Sequence, residues 1–308
     1  MITIRNLLCG VAVGDAIGYP LEFNSNPNAD DFAESVSAKV LQASDDTQMS
    51  LFLAEAIAKH DTKFKPDLPY MRWYVTQTKP IPHTAAFEGL LAFDCMYEVR
   101  APGKTCMSAC GALSNGTKVQ NDSKGNGTVM RIAPWALKAV LDTERDYAHY
   151  MQYVVNDSFC THKNMEATES AKALFMIQYF ALHKVPLRNA IELAMREVDP
   201  ISRAFHLLSF VDHEEDFEKG GWVAEEAVYI AVRAVLKAKD YLDAIYNATV
   251  IEGDSDTCAA IAGALAVCYG MKPPEELIAK LDILPAIEYV SDIWESHYRA
   301  PLKIHNSS

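Results

Sequence analysis

The sequence predicts an all-α protein folded as one domain over residues 1–308. Three observations lead there. Apolar residues recur with a helical period over most of the chain, and alternating strand patterns are scarce. Turn signals at Asn26-Pro27, Lys79-Pro80, Pro102-Gly103, Lys184-Val185-Pro186, Gly220-Gly221 and Pro273-Pro274 punctuate the chain without forming a linker. A composition of 50% hydrophobic and 22% charged residues can bury a large core, which excludes a disordered chain, a coiled coil or a disulfide-stapled mini-protein.

Taken in order, the first element is a helix through Gly10, Gly14 and Gly18, whose glycines at four-residue spacing suit close helix packing. That spacing does not account for Asp15 and Glu22, acids that flank the end of an otherwise apolar segment. Next, Met49, Phe52, Leu53, Ala56 and Ile57 mark one buried face of a helix starting near Asp45. The polar run from Ser114 to Gly127 reads as a loop, and its end, Asn121 to Arg131, places a glycine-rich turn before a helix. Such a turn can present backbone N–H groups to phosphate. Thr161-His162 precedes a helix, where a lone histidine suits a cap or a surface. Helical patterns follow over 167–182, 222–239 and 256–269, the last apolar almost all round and so placed centrally.

Two acidic clusters stand at predicted helix starts, Ser44-Asp45-Asp46-Thr47 and Asp254-Ser255-Asp256-Thr257. Asp, Ser and Thr there are ordinary caps, since their oxygens accept bonds from free backbone N–H groups. A cap needs one acceptor, yet each cluster carries two carboxylates and neighbouring hydroxyls. Apposed carboxylates repel unless a cation lies between them. Oxygen ligands without nearby His or Cys suit Mg²⁺ or Mn²⁺ better than zinc. Other metal classes fail on single positions. Cys258 stands where a DxDx[TV] phosphatase needs Thr or Val, Met49 where a prenyl-diphosphate enzyme needs a third carboxylate, and Cys258-Ala259 where an EF-hand needs Asp or Asn and then Gly.

The charge balance, Asp+Glu 41 against Lys+Arg 28, opposes a polyanionic partner, so nucleic acid is excluded as a general ligand. Seven cysteines without a CxxC pair fit a reducing compartment, and Cys106 and Cys110 lack the partners of a zinc site. The apolar stretch Leu7 to Val13 is interrupted by Asp15, and no run reaches the ~20 apolar residues of a membrane span. A cytoplasmic, monomeric protein without a membrane partner is expected.

Five strings in this order, GVAVGDAIGYPLEF, SDDTQMS, DSKGNGTVMR, the TH at 161–162 and GDSDTCAAIAGAL, resemble the ADP-ribosylglycohydrolase family. This is the family of ADP-ribosyl-acceptor hydrolases and the dinitrogenase reductase-activating glycohydrolase. The motif-bearing part runs over about residues 5–272, with residues 301–308 expected to be a flexible tail. The resemblance implies a compact orthogonal helical bundle with two Mg²⁺ or Mn²⁺ ions in a cleft for ADP-ribose. It implies Ser44, Asp45, Asp46, Asp254, Asp256 and Thr257 as metal ligands, and Ser123, Gly125, Asn126, Gly127 and His162 as substrate-binding residues. Glu22, Asp45 and Asp256 are the implied catalytic carboxylates. Ser44 replaces the family's usual Thr and keeps its oxygen, while Lys124 stands where some relatives carry an aromatic residue or Arg. The implied reaction is hydrolysis at C1″ of an ADP-ribosylated acceptor, with Glu22 or a metal-ligating Asp managing the proton. Arginine is the favoured acceptor. A non-catalytic ADP-ribose-binding relative and a hydrolase of O-acyl-ADP-ribose are the alternatives. Five acids in one cleft would repel a diphosphate unless metals filled the site.

Overall fold

A computed structural model describes residues 2–60, 64–80, 88–211 and 220–298; the expected tail at 301–308 lies outside them. Among the described residues the regular structure is helical, with isolated bridges only at Leu41–Leu281, Gly125–Val223 and Gly220–Gly253. The helices that matter for the site are α1 (Ile4–Gly18), α2 (Ala29–Ser37), α3 (Asp45–His60), α4 (Leu68–Thr78), α5 (Lys104–Ser114), α6 (Ala133–Leu141), α7 (Tyr147–Thr161) and α8 (Met165–Leu182). They continue through α9 (Leu187–Met195), α10 (Arg203–Ser209), α11 (Ala224–Lys237), α12 (Tyr241–Thr249), α13 (Ser255–Cys268), α14 (Glu275–Ile278) and α15 (Leu284–Tyr298).

Every residue of α13 is buried. A helix apolar on all sides has no face to give to water, so it becomes the hub on which α1, α11 and α12 pack. The contact with α1 is backbone to backbone. Gly10, Gly14 and Gly18 form one stripe, and a methyl group on each would meet Gly263 O at 2.8 Å, Ala259 O at 2.2 Å and Ser255 O at 2.5 Å. Gly263 reciprocates, since a methyl group there would run into Gly10 O. The stripe therefore sets the distance between the segment that carries Asp15 and Glu22 and the helix that begins with Asp254 to Asp256.

The expected boundaries hold closely for α3, α8, α11 and α13. One differs. The glycine-rich turn at 121–131 does not open a helix directly; a 3-10 turn at Asn126–Thr128 follows, and α6 begins only at Ala133 with a proline in its first turn. Arg131 falls in the gap and is fully buried. All seven cysteines are free thiols. No helix among the described residues is long and apolar enough to cross a membrane.

Candidate active site

The starts of α3 and α13 meet. Thr257 Oγ1 donates to Asp46 Oδ2 at 3.3 Å, joining clusters from opposite ends of the sequence. Each start is capped by a different device. At α13, Asp254 Oδ1 accepts from Thr257 N at 3.4 Å, while its Oδ2 accepts from Asn126 Nδ2 at 2.7 Å. At α3, Ser44 Oγ accepts from Asp46 N at 3.3 Å, and the N–H groups of Ser44 and Thr47 go to a side chain from another helix. Asp15 of α1 accepts from Ser44 N at 3.0 Å, Thr47 N at 3.1 Å and the Thr47 hydroxyl. This resolves the position of Asp15 in its apolar segment: it caps α3 from outside and leaves Asp45 and Asp46 free for other work.

The result is a cavity of about 510 Å³, of the size that holds a nucleotide-like ligand. Its wall carries five carboxylates, those of Glu22, Asp45, Asp46, Asp254 and Asp256, together with Thr257. Ligand oxygens of Glu22, Asp254 and Asp256 lie within 4.8 Å of one another. Burial, reinforced by the facing carboxylates, pushes Glu22 and Asp45 up to about 8, and holds Asp46 and Asp256 well above the carboxylate range. Asp254 is also raised by burial, against the bonds from Asn126 and Thr257. Glu22 Oε2 and Asp46 Oδ1 are buried without a hydrogen-bond partner. An orphaned Asp46 oxygen in an all-oxygen cage fits a hard divalent cation, which would cancel the repulsion and complete that group.

Opposite the acids stands the glycine loop. Asn126 Nδ2 bonds Gly221 O at 2.7 Å as well as Asp254, tying the loop to the 220–223 segment and to the second acidic cluster. Lys124 turns away from the cavity and pairs with buried Glu225 at 2.5 Å, while its carbonyl accepts from Ala224 N at 2.9 Å. Lys124 is thus a latch onto α11. Gly125, Asn126, Gly127 and His162 all line the cavity. Ser44 and Ser123 lie off its wall. Ser44 is fully buried as the α3 cap, and the Ser123 hydroxyl sits 3.0 Å from Thr105 Oγ1 and accepts from Gly125 N. Both brace wall residues.

The wall also contains residues that the motifs did not single out. Gly103 N donates to Asp45 Oδ2 at 3.3 Å, so the start of α5 closes over the first cluster. That start has no side-chain cap, and exposed Lys104 stands on it. Phe23 and Trp222 stack at the mouth with ring centroids 5.9 Å apart, and they remain 76% and 43% exposed. The Pro102-Gly103 turn signal marked the place of α5, but nothing local connected it to a cluster near residue 45.

Behind the loop is a buried polar network. Arg131 Nε bonds Asp157 Oδ1 at 3.1 Å and its guanidinium covers the Tyr70 ring at 3.9 Å. The same carboxylate accepts from Tyr70 OH at 2.7 Å and Trp135 Nε1 at 3.1 Å. Asp157→Ala would strand a fully buried cation and two donors. The expected loss is about 3–5 kcal/mol of stability, read from urea unfolding of the variant against the unmodified protein.

An all-helical shell holding an acidic, oxygen-lined cleft beside a glycine loop defines a class, helical proteins whose clustered carboxylates suit a divalent cation. Within that class the chain belongs to the ADP-ribosylglycohydrolase family, whose sequence profile matches residues 3–300. It is 26% identical over 286 residues to the "ADP-ribosylarginine hydrolase Tri1" of Pseudomonas putida (strain GB-1), covering 88% of this chain and 72% of that protein. A solved structure described as an "ADP-ribosylglycohydrolase-related protein complex" shares the fold at a TM-score of 0.69 and 20% identity, over 95% of this chain and 96% of that one. ADP-ribosyl hydrolase activity follows from the family.

Proposed function

We propose that this protein cleaves the C1″ bond of an ADP-ribosylated acceptor with the help of divalent Mg²⁺ or Mn²⁺, and that arginine is the preferred acceptor. The observation that carries this reading is the convergence of Glu22, Asp254 and Asp256 opposite Asp45 and Asp46 in one cavity. Bound cations would supply charge for the ribose hydroxyls and for an activated water. Up to two ions would be held by Asp45, Asp46, Asp254, Asp256 and Thr257.

The chain's own groups divide the remaining work. Gly125 to Gly127 and His162 take the nucleotide, and Lys104 with the uncapped start of α5 takes the diphosphate. Asp45, Asp254 and Asp256 each accept a backbone or side-chain N–H, which fixes their orientation. Glu22 accepts none among the described residues and stands beside the open mouth. It is therefore the carboxyl free to carry a proton. Water adds to C1″ as the bond to the acceptor breaks; Glu22 gives its proton to the departing nitrogen, and the proton that the water loses returns to the Glu22 carboxylate, leaving a hydroxyl on C1″. Phe23 and Trp222 frame the route by which the acceptor side chain enters. Their ring faces suit a flat guanidinium, as does the acidity of the wall.

The test is a release assay with arginine-linked, serine-linked and O-acetylated ADP-ribose under Mg²⁺, Mn²⁺ and chelator. Arginine-linked substrate is expected to be cleaved fastest, and chelation to stop release. Binding of ADP-ribose without release from any substrate would establish a binding module instead.

A further inference from the structure

We propose that Arg131, through the Thr161 hydroxyl, locks His162 as a neutral Nε2–H donor aimed into the cavity, making Arg131 and Thr161 positioning residues for nucleotide binding. The inference rests on the reading of the cavity as an ADP-ribose site.

A guanidinium can only donate. Arg131 Nη2 lies 2.8 Å from Thr161 Oγ1, so that oxygen is an acceptor in this contact. Thr161 Oγ1 lies 2.9 Å from His162 Nδ1. Thr161 is fully buried, and Nδ1 is the one acceptor within reach of its hydroxyl proton among the described residues. Were Nδ1 protonated, the hydroxyl would accept twice and its own proton would be buried without a partner, which is costly. The proton therefore runs from Thr161 to Nδ1, and the ring carries its hydrogen on Nε2. A hydrogen-bond chain of fixed polarity thus leads from a buried cation to the cavity wall.

Two further contacts hold the ring and the loop in register. Arg131 Nη1 bonds Gly127 O at 2.8 Å, so one guanidinium sets both the loop and the histidine. The lack of a side chain at Gly125 and Gly127 leaves room for the ring: a methyl group would lie 3.3 Å and 3.4 Å from Nε2. Nε2 has no protein partner among the described residues, and His162 lines the cavity. Burial and the Arg131 charge push the imidazole down to about 3, so the ring is neutral. The cavity thereby receives a donor without a second positive charge, suited to a phosphate oxygen or a nucleotide lone pair.

Nitrogen-15 NMR of the metal-free protein reads the tautomer directly. A pyridine-like Nδ1 and a pyrrole-like Nε2 for His162 are expected in the unmodified protein and in Thr161→Ser. Thr161→Val, which keeps the shape and loses the hydroxyl, should weaken ADP-ribose binding about tenfold, with Thr161→Ser within about twofold of the unmodified protein. Thermal unfolding of both variants reports whether Arg131 is still seated. A protonated Nδ1 in the unmodified protein, or undiminished binding by folded Thr161→Val, would overturn the proposal. Failure of the unmodified protein to bind ADP-ribose would count against the function above, while the tautomer spectrum would still decide the relay.

Discussion

Asp256→Ala is expected to lose release of ADP-ribose by about a thousandfold or more while keeping its helical circular dichroism. The size follows from the position of the carboxylate. Its ligand oxygen shares one 4.8 Å group with those of Glu22 and Asp254, so its removal opens the cage rather than weakening one contact. Metal assistance to a hydrolysis contributes several kcal/mol, and each 1.36 kcal/mol is about tenfold in rate. Stability should respond in the opposite sense. Burial first and then the facing Asp254, Asp46 and Glu22 disfavour a carboxylate at Asp256, so truncation relieves both costs in the metal-free protein. The lost bond from Thr257 N is partly covered, because Asp254 Oδ1 accepts from the same N–H.

Calorimetry separates these two effects. A divalent cation at a hundredfold excess over its Kd should stabilise the unmodified protein by about 2.7 kcal/mol, and Asp256→Ala should lose that increment without being less stable beforehand. Full turnover by the variant, or an unchanged response to the cation, would remove Asp256 from the metal site.

Local sequence carried the helix starts and the chemistry of the acids, because caps and carboxylate clusters are written within four or five residues. Asp45 begins α3 and Asp254 caps α13 as their residue types require. What a linear reading cannot supply is which cap serves which helix. Asp15 looked like an unexplained acid in an apolar stretch, and its partners lie about thirty residues away on α3. The same limit hid Lys104 and Trp222, whose neighbours in the sequence carry no related chemistry, and although Phe23 follows Glu22 in its motif, only the fold brings it onto Trp222. Ser44 and Ser123 show the converse. Their types match ligands, and the fold spends their hydroxyls on bracing a helix start and a loop. A motif fixes which atoms are available, whereas packing decides which of them reach the cavity.

The glycine stripe of α1 yields the other large effect. Gly14→Ala should cost about 3 kcal/mol or more, at the upper end of the overpacking range, because the new methyl meets backbone that cannot change rotamer. Its nearest neighbours are Ala259 O at 2.2 Å and Ala259 C at 2.7 Å on the wholly buried α13. Relief requires α1 to move away from α13 as a unit, with Gly10 and Gly18 drawn out of their own contacts. That movement would carry Asp15 off the start of α3, to which it is bonded through Ser44 N, Thr47 N and the Thr47 hydroxyl. It would also displace Glu22 from Asp254 and Asp256. Loss of stability and loss of cation response should therefore appear together in Gly14→Ala, unlike the separation expected for Asp256→Ala. Gly116→Ala is the control. Its φ of 65° carries a backbone penalty of about 1–2 kcal/mol, but open space surrounds the added methyl, so the cation response should survive intact. Equal, small effects of both substitutions on stability and on cation binding would show that α1 and α13 do not set the geometry of the acidic cage.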